Sequence, residues 1–220
     1  HNIAPRYDLL NHTLSMNIDR IWRRRAVNEV RRANPRRILD VATGTGDLAI
    51  ALARRIRDVQ VMGVDLSEEM LAVARRKVEA RGLDSRIVLE RGDAEHLEVA
   101  DASVDAATVA FGVRNFGDLA AGLCELARTI RPGGKVVILE FSRPRNRVFR
   151  ALYEFYSYKI LPRIGGLVSR DKRAYEYLPA SVGEFPAPAE FLGMMEKAGF
   201  RNCRAKSQSC GIAQIYIGER

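Results

Sequence analysis

Apolar and polar positions along this chain switch repeatedly between a helical and a strand period. In residues 17–33, Ile18, Ile21, Trp22, Ala26 and Val30 fall roughly on one stripe, which predicts a helix with one buried face. Residues 36–41 form a short apolar run suited to a buried strand. The tight turn Ala42-Thr43-Gly44-Thr45-Gly46 follows, and Asp47 is placed to cap a helix over 48–56. A second buried strand is expected over 59–64, ending at Asp65. Ser67 is a good N-cap for a helix reaching about Ala80, with Gly82 as its stop. Strands are expected at 86–90 and 104–109, separated by a loop. Asp118 then opens a helix running to Ile130, Pro132-Gly133-Gly134 ends it, and residues 135–141 make a fifth strand.

Five alternations of strand and helix with short connections predict an α/β fold, a mostly parallel sheet with helices on both faces. The remainder differs. Helices are expected at 146–161, 168–177 and 188–198, the last stopped by Gly199. Strands at 200–207 and 212–218, joined by Gln208-Ser209-Cys210-Gly211, bring the total to seven and make an antiparallel hairpin. The reading is one domain over 1–220. It divides into an amino-terminal helical lid (1–35), a core (36–142), a helical insertion facing substrate or membrane (143–199) and the terminal strands (200–220).

Composition narrows the class. A chain of 220 residues with 47% hydrophobic and 29% charged positions can bury a core and is not a disordered tail. No apolar run approaches the roughly 18 residues of a membrane span, and no signal-peptide pattern opens the chain at His1. The three cysteines (Cys124, Cys203, Cys210) have no CxxC spacing, which points to a reducing compartment, so a cytoplasmic location is expected. The three histidines show no ligand spacing, so no metal site is expected. Lys and Arg exceed Asp and Glu by 36 to 27, a net charge of +9. Most of the basic runs fall on expected helices and read as solvated faces, with attraction to anionic lipid as the functional alternative.

The chemistry concentrates at the glycine turn. Asp40-Val41-Ala42-Thr43-Gly44-Thr45-Gly46-Asp47 lies between a strand and a helix, where glycines permit a sharp turn and close approach of a ligand. In open parallel sheets, ligands bind beyond the carboxyl ends of the strands. Asp65, ending the second strand, can accept both hydroxyls of a ribose. The segment Gly44-Thr45-Gly46-Asp47-Leu48-Ala49 also fits a dinucleotide fingerprint, so two cofactors suit these facts: a nicotinamide or flavin dinucleotide, and S-adenosylmethionine. Four features favour the second. Asp40 would repel a pyrophosphate but suits the amino and sulfonium end of S-adenosylmethionine. Asp93, after the third strand, can take an adenine amino group. Only one mononucleotide-type half precedes Pro132-Gly133-Gly134, and an antiparallel hairpin closes the sheet. Leu66 and Met70 are placed to flank the adenine.

On these residues the chain resembles the class I S-adenosylmethionine-dependent methyltransferases, whose Rossmann-like seven-stranded sheet matches the expected order. More narrowly, it is similar to the quinone-biosynthesis C-methyltransferase family, which acts on demethylmenaquinone or a ubiquinone-pathway benzoquinol. The carriers are Ile3-Ala4-Pro5-Arg6-Tyr7-Asp8-Leu9-Leu10-Asn11, Phe111-Gly112-Val113-Arg114-Asn115, the stretch 126–134, Leu139-Glu140-Phe141-Ser142 and residues 175–178. Of these, Phe-Gly-x-Arg-Asn is far more specific to the family than the glycine turn. The resemblance implies cofactor contacts at Thr45, Asp65, Asp93 and Ala94. The family often has Asn at position 93 and can have Ser at position 110, where this chain has Asp93 and Ala110. It implies S-adenosylmethionine as cofactor and methylation of a ring carbon of a prenylated quinol, demethylmenaquinol first.

Such a carbon must be electron-rich, so the quinol rather than the quinone is the expected acceptor. Arg114 is expected to stabilise the oxyanion electrostatically, since a guanidinium is too basic to serve as the base, with a structural arginine holding a loop carboxylate as the alternative. Asn115 is expected either to orient the quinol oxygen or to cap a turn, and Tyr7, in the lid, to meet the cofactor or the ring or to pack the lid. His12 carries no assignment. The apolar face of 146–161, flanked by Arg143, Arg145, Arg147 and Arg150, suits the prenyl tail and transient contact with an anionic membrane surface, although spacing alone favours a helix packed on the domain core. A homodimer is the other partner considered. A nucleic-acid methyltransferase, suggested by the charge, lacks a base-attacking motif, and a binding module without turnover is opposed by Asp40, Asp65 and Arg114.

Overall fold

The computed structural model describes residues 18–144 and 181–220. The expected helices at 146–161 and 168–177, the segment 1–17 with Tyr7, Asp8 and His12, and residues 175–178 lie outside them.

A helix comes first, then five strands with three helices among them: α1 (Asp19–Arg31), β1 (Arg37–Val41), α2 (Asp47–Arg55), β2 (Gln60–Asp65), α3 (Glu68–Glu79), β3 (Ile87–Arg91), β4 (Val104–Ala110), α4 (Leu119–Thr129) and β5 (Ile130–Phe141). After residue 180 come α5 (Pro188–Lys197), β6 (Arg201–Gln208) and β7 (Ala213–Glu219). The seven strands form one sheet in the order β3-β2-β1-β4-β5-β7-β6. Pairings from β3 through β5 are parallel, whereas β7 runs antiparallel to both β5 and β6. The sheet class, its seven strands and its reversed terminal pair therefore match expectation. The order reverses at β1 and β4, which opens a crevice at their carboxyl ends.

Local chemistry accounts for most boundaries. Ser67 caps α3 by accepting from the Met70 amide at 3.3 Å, and Asp118 caps α4 by accepting from the amides of Ala120 and Ala121 at 2.9 and 3.0 Å. Two expectations need correction. Asp47 does not cap α2: Gly46 holds the cap position at φ +79°, and Asp47 is already helical, its carboxylate taken by Lys77 at 2.5 Å. Pro132-Gly133-Gly134 does not delay the fifth strand. Strand β5 begins at Ile130, pairs with Val104, loops out, and resumes with Lys135 opposite Ala106. A bulge absorbs the turn residues that would otherwise have ended the element.

Two apolar layers sandwich the sheet. One gathers Trp22, Val27 and Val30 of α1 with Leu48 and Leu52 of α2 against Ile38, Val61 and Leu139. The other packs Leu123 and Leu126 of α4 and Phe191 and Met195 of α5 against Leu39, Val109 and Tyr216. Trp22, Ala26 and Val30 are buried as the stripe required, but Ile21 is exposed. Its place on the buried face is held by Asp19 and Arg23, one turn apart.

Candidate active site

The strand ends of β1, β2 and β4 surround a cavity of about 400 Å³. Its floor is the turn after β1. Gly44 and Gly46 both have positive φ, and a Cβ on Gly46 would come within 3.1 Å of the Ala74 side chain, so glycine suits both the turn and the close approach of α3.

Asp40 sits at the base, 1% exposed, and accepts from the hydroxyls of Thr43 and Thr108, both at 2.6 Å. Burial pushes its carboxyl up to about 6, against the pull of those two hydroxyls and of Arg23. Asp65 accepts from the amides of Gly44 at 2.7 Å and Ser67 at 2.9 Å, so one carboxylate ties the glycine turn to the end of β2. Burial raises its pKa too. Above the turn, Leu66 is largely exposed at the rim, with Met70 beside it. Asp93 and Ala94 line the far wall, where Asp93 accepts from the Glu95 amide at 3.0 Å. Asp40, Gly44, Thr45, Asp65, Leu66, Met70, Asp93 and Ala94 thus share one cavity, and Gly46, outside its lining, caps α2.

The catalytic candidates separate. Asn115 lines the cavity. Arg114, its neighbour in the 3-10 turn Val113–Asn115, does not. Its guanidinium donates to Glu140 of β5 at 2.8 Å and to the Phe111 carbonyl at 2.5 Å, with both charged side chains fully buried. A charge so engaged is placed to hold the turn rather than to reach an oxyanion in the cavity. Tyr7 lies outside the described residues.

Three further residues at the cavity carried no expected role. Glu95 accepts from the amides of Gly117 and Asp118 at 2.6 and 3.0 Å, joining two walls of the cavity. Phe111 has φ +59°, strained for a bulky residue, and its ring packs 4.5 Å from that of Phe141. Arg23 reaches the cavity from α1. A signal for it existed: Asp19, Trp22, Arg23 and Ala26 stand at i, i+3, i+4 and i+7, the spacing of one helix face. Among the described residues, no group of three metal-ligating side chains occurs and no helix is long and apolar enough to cross a membrane.

A sheet of this order, an acid at the tip of each of two adjacent strands and a glycine turn between them define the class: a class I S-adenosylmethionine-dependent methyltransferase. Solved methyltransferase structures share the fold. A structure from Methanococcus maripaludis, described as a putative S-adenosylmethionine-dependent methyltransferase, matches with a TM-score of 0.67 at 20% identity, covering 99% of this chain and 91% of its own. One from Aquifex aeolicus matches at 0.61 and 20%, covering 84% and 82%. The family model of the ubiE/COQ5 methyltransferase family matches residues 1–220, and the chain belongs to that family. Relatives include a ubiquinone/menaquinone biosynthesis C-methyltransferase of Geobacter sulfurreducens, 48% identical over all of this chain and 86% of its own length. Demethylmenaquinone methyltransferases of Deinococcus radiodurans (48%, covering 100% and 90%) and Thermus thermophilus (49%, covering 99% and 98%) are similarly near.

Proposed function

We propose that this protein transfers the methyl group of S-adenosylmethionine to a ring carbon of a prenylated quinol, with demethylmenaquinol as the preferred acceptor. The observation that carries this reading is the family match along the whole chain, with relatives named for that activity at 48–49% identity. The cavity supports it, because its acidic groups suit a ligand bearing a sulfonium, an ammonium and a ribose.

The cofactor supplies an activated methyl group. Asp65 would accept from the ribose hydroxyls while holding the turn, Asp93 would take the adenine amino group, and Leu66 and Met70 would cover the adenine. Asp40 lies at the sulfonium end and stabilises positive charge there. Ionising one hydroxyl of the quinol places negative charge on the adjacent ring carbon; methylation there would break the methyl–sulfur bond, leave S-adenosylhomocysteine, and release the ring proton so that the aromatic quinol is restored. Asn115 orients the quinol oxygen. Arg114 acts as a positioning residue: paired with Glu140, it keeps the 111–115 turn in the shape that presents Asn115.

The test is incubation of purified protein with labelled S-adenosylmethionine and, separately, reduced demethylmenaquinone and the ubiquinone-pathway benzoquinol. Label should enter the naphthoquinol ring as one carbon-bound methyl. Preferential labelling of the benzoquinol moves the assignment to the other branch of the family, and labelling of neither overturns it. Reversible contact with an anionic membrane surface, supported by the net charge of +9, is the proposed route to a substrate with a lipid tail.

A further inference from the structure

The cavity described above is acidic on nearly every side. Asp40, Asp47, Asp65, Asp93 and Glu95 line it, and the one basic side chain among its described lining residues is Arg23. A cation there needs explaining, because the ligand's sulfonium and ammonium are cations as well. The side chain of Arg23 is 11% exposed and pairs along α1 with Asp19, which is fully buried. Its guanidinium carbon lies 5.3 Å from the centre of the Phe111 ring. Its Nε is sealed from solvent and makes no hydrogen bond. A buried donor without a partner is costly, and a guanidinium edge is built for two parallel bonds to a carboxylate.

Asp47 does not fill that role. Its nearer partner is Lys77 at 2.5 Å, which also donates to Thr45, while Arg23 stays 4.0 Å from the other Asp47 oxygen. Arg23 also stands beside the amino-terminal end of α2, where unpaired backbone amides favour an anion. S-adenosylmethionine has one anionic group, its α-carboxylate. We infer that Arg23 is the receptor for that carboxylate, its guanidinium donating to the oxygens from the cavity wall while Asp19 and the Phe111 ring anchor its other side. This assignment rests on the cofactor reading above and extends it to the methionine end. Because Arg23 belongs to α1, outside the strand-end loops, the carboxylate would tie that helix to the glycine turn, and cofactors lacking it would bind without the tie.

Equilibrium binding of two ligands isolates the contact: S-adenosylhomocysteine, and its decarboxylated counterpart, which keeps the adenosine, thioether and amine. Wild-type protein should prefer the carboxylated ligand by about 10- to 100-fold, the range of a charge-assisted hydrogen bond. In Arg23→Met that preference should fall to within about threefold, through weaker binding of S-adenosylhomocysteine alone. Arg23→Lys, which keeps charge but not the fork, should fall between, and it reads the same ratio if the Met variant does not fold. A variant that retains the wild-type ratio overturns the role of Arg23 while leaving the cofactor site intact. Wild-type protein that binds neither ligand overturns the cofactor reading itself.

Discussion

Arg114 and Glu140 meet at 2.8 Å with both side chains sealed from solvent, so the most specific segment of the family pattern is held by a buried ion pair. The pair joins the turn after β4 to the end of β5, and Glu140 also accepts from the Arg114 and Phe141 amides. Removing one partner leaves a buried charge unanswered. Arg114→Met and Glu140→Met are each expected to lose about 3–5 kcal/mol of stability in chemical denaturation. The double variant should recover part of that loss, and turnover should recover with it, since the role assigned to Arg114 is to hold the turn. A double variant with regained stability but no turnover would mean that the guanidinium acts on the substrate directly.

Asp40 links cofactor binding to pH. Burial raises its folded pKa to about 6 from an ordinary value of 3.8. Between those values the folded protein binds more protons than the unfolded chain. The group's contribution to ligand-free stability is therefore greatest below about pH 4 and is lost as pH rises to about 6. Cofactor binding runs the other way, because positive charge beside Asp40 favours its ionised form. Affinity for S-adenosylmethionine should tighten as pH rises through 6, and binding near pH 6 should release a proton. Calorimetry in buffers of different ionisation enthalpy measures that proton, and Asp40→Asn should abolish this component, with Asp65 as the remaining nearby titrating carboxylate.

Gly112 tests the fit between two walls. A Cβ there would stand 2.5 Å from the Ala42 side chain. Gly112→Ala should force the turns after β1 and β4 apart, costing about 1–3 kcal/mol and loosening the cofactor site. Thermal melts with and without S-adenosylhomocysteine should show a lower midpoint and a smaller ligand-induced rise.

Contact with membranes has a salt signature. Flotation with vesicles containing anionic lipid should carry the protein at low ionic strength and release it as salt rises, whereas neutral vesicles should not carry it. Absence of binding to anionic vesicles at low salt would remove the proposal.

Much of this fold is written locally. Ser67 and Asp118 mark helix starts through their own side chains, and the runs in β1, β2 and β4 are apolar because both faces of the sheet are covered. Two acids at strand ends were legible for the same reason, Asp40 interrupting one apolar run and Asp65 ending another, while Asp93 stood out only by following the third expected strand. Partnerships across the chain were not. Nothing in the sequence near Arg114 indicates that residue 140 will neutralise it, and although helical spacing puts Arg23 on the face of Trp22 and Ala26, it does not reveal that this face meets the turn after β1. The bulge in β5 was hidden because Pro132-Gly133-Gly134 has the local chemistry of a stop, and pairing with β4 on either side overrides it.

Strand β7 lies between β5 and β6 although it follows both in sequence. On a ribosome, β5 would emerge long before the neighbour that covers its outer edge, leaving a row of bare amides and carbonyls able to recruit a stranger's strand. Sheet closure must wait for residues 213–219, so nicks or truncations that remove them should cause clumping well before they touch the methyl-transfer chemistry.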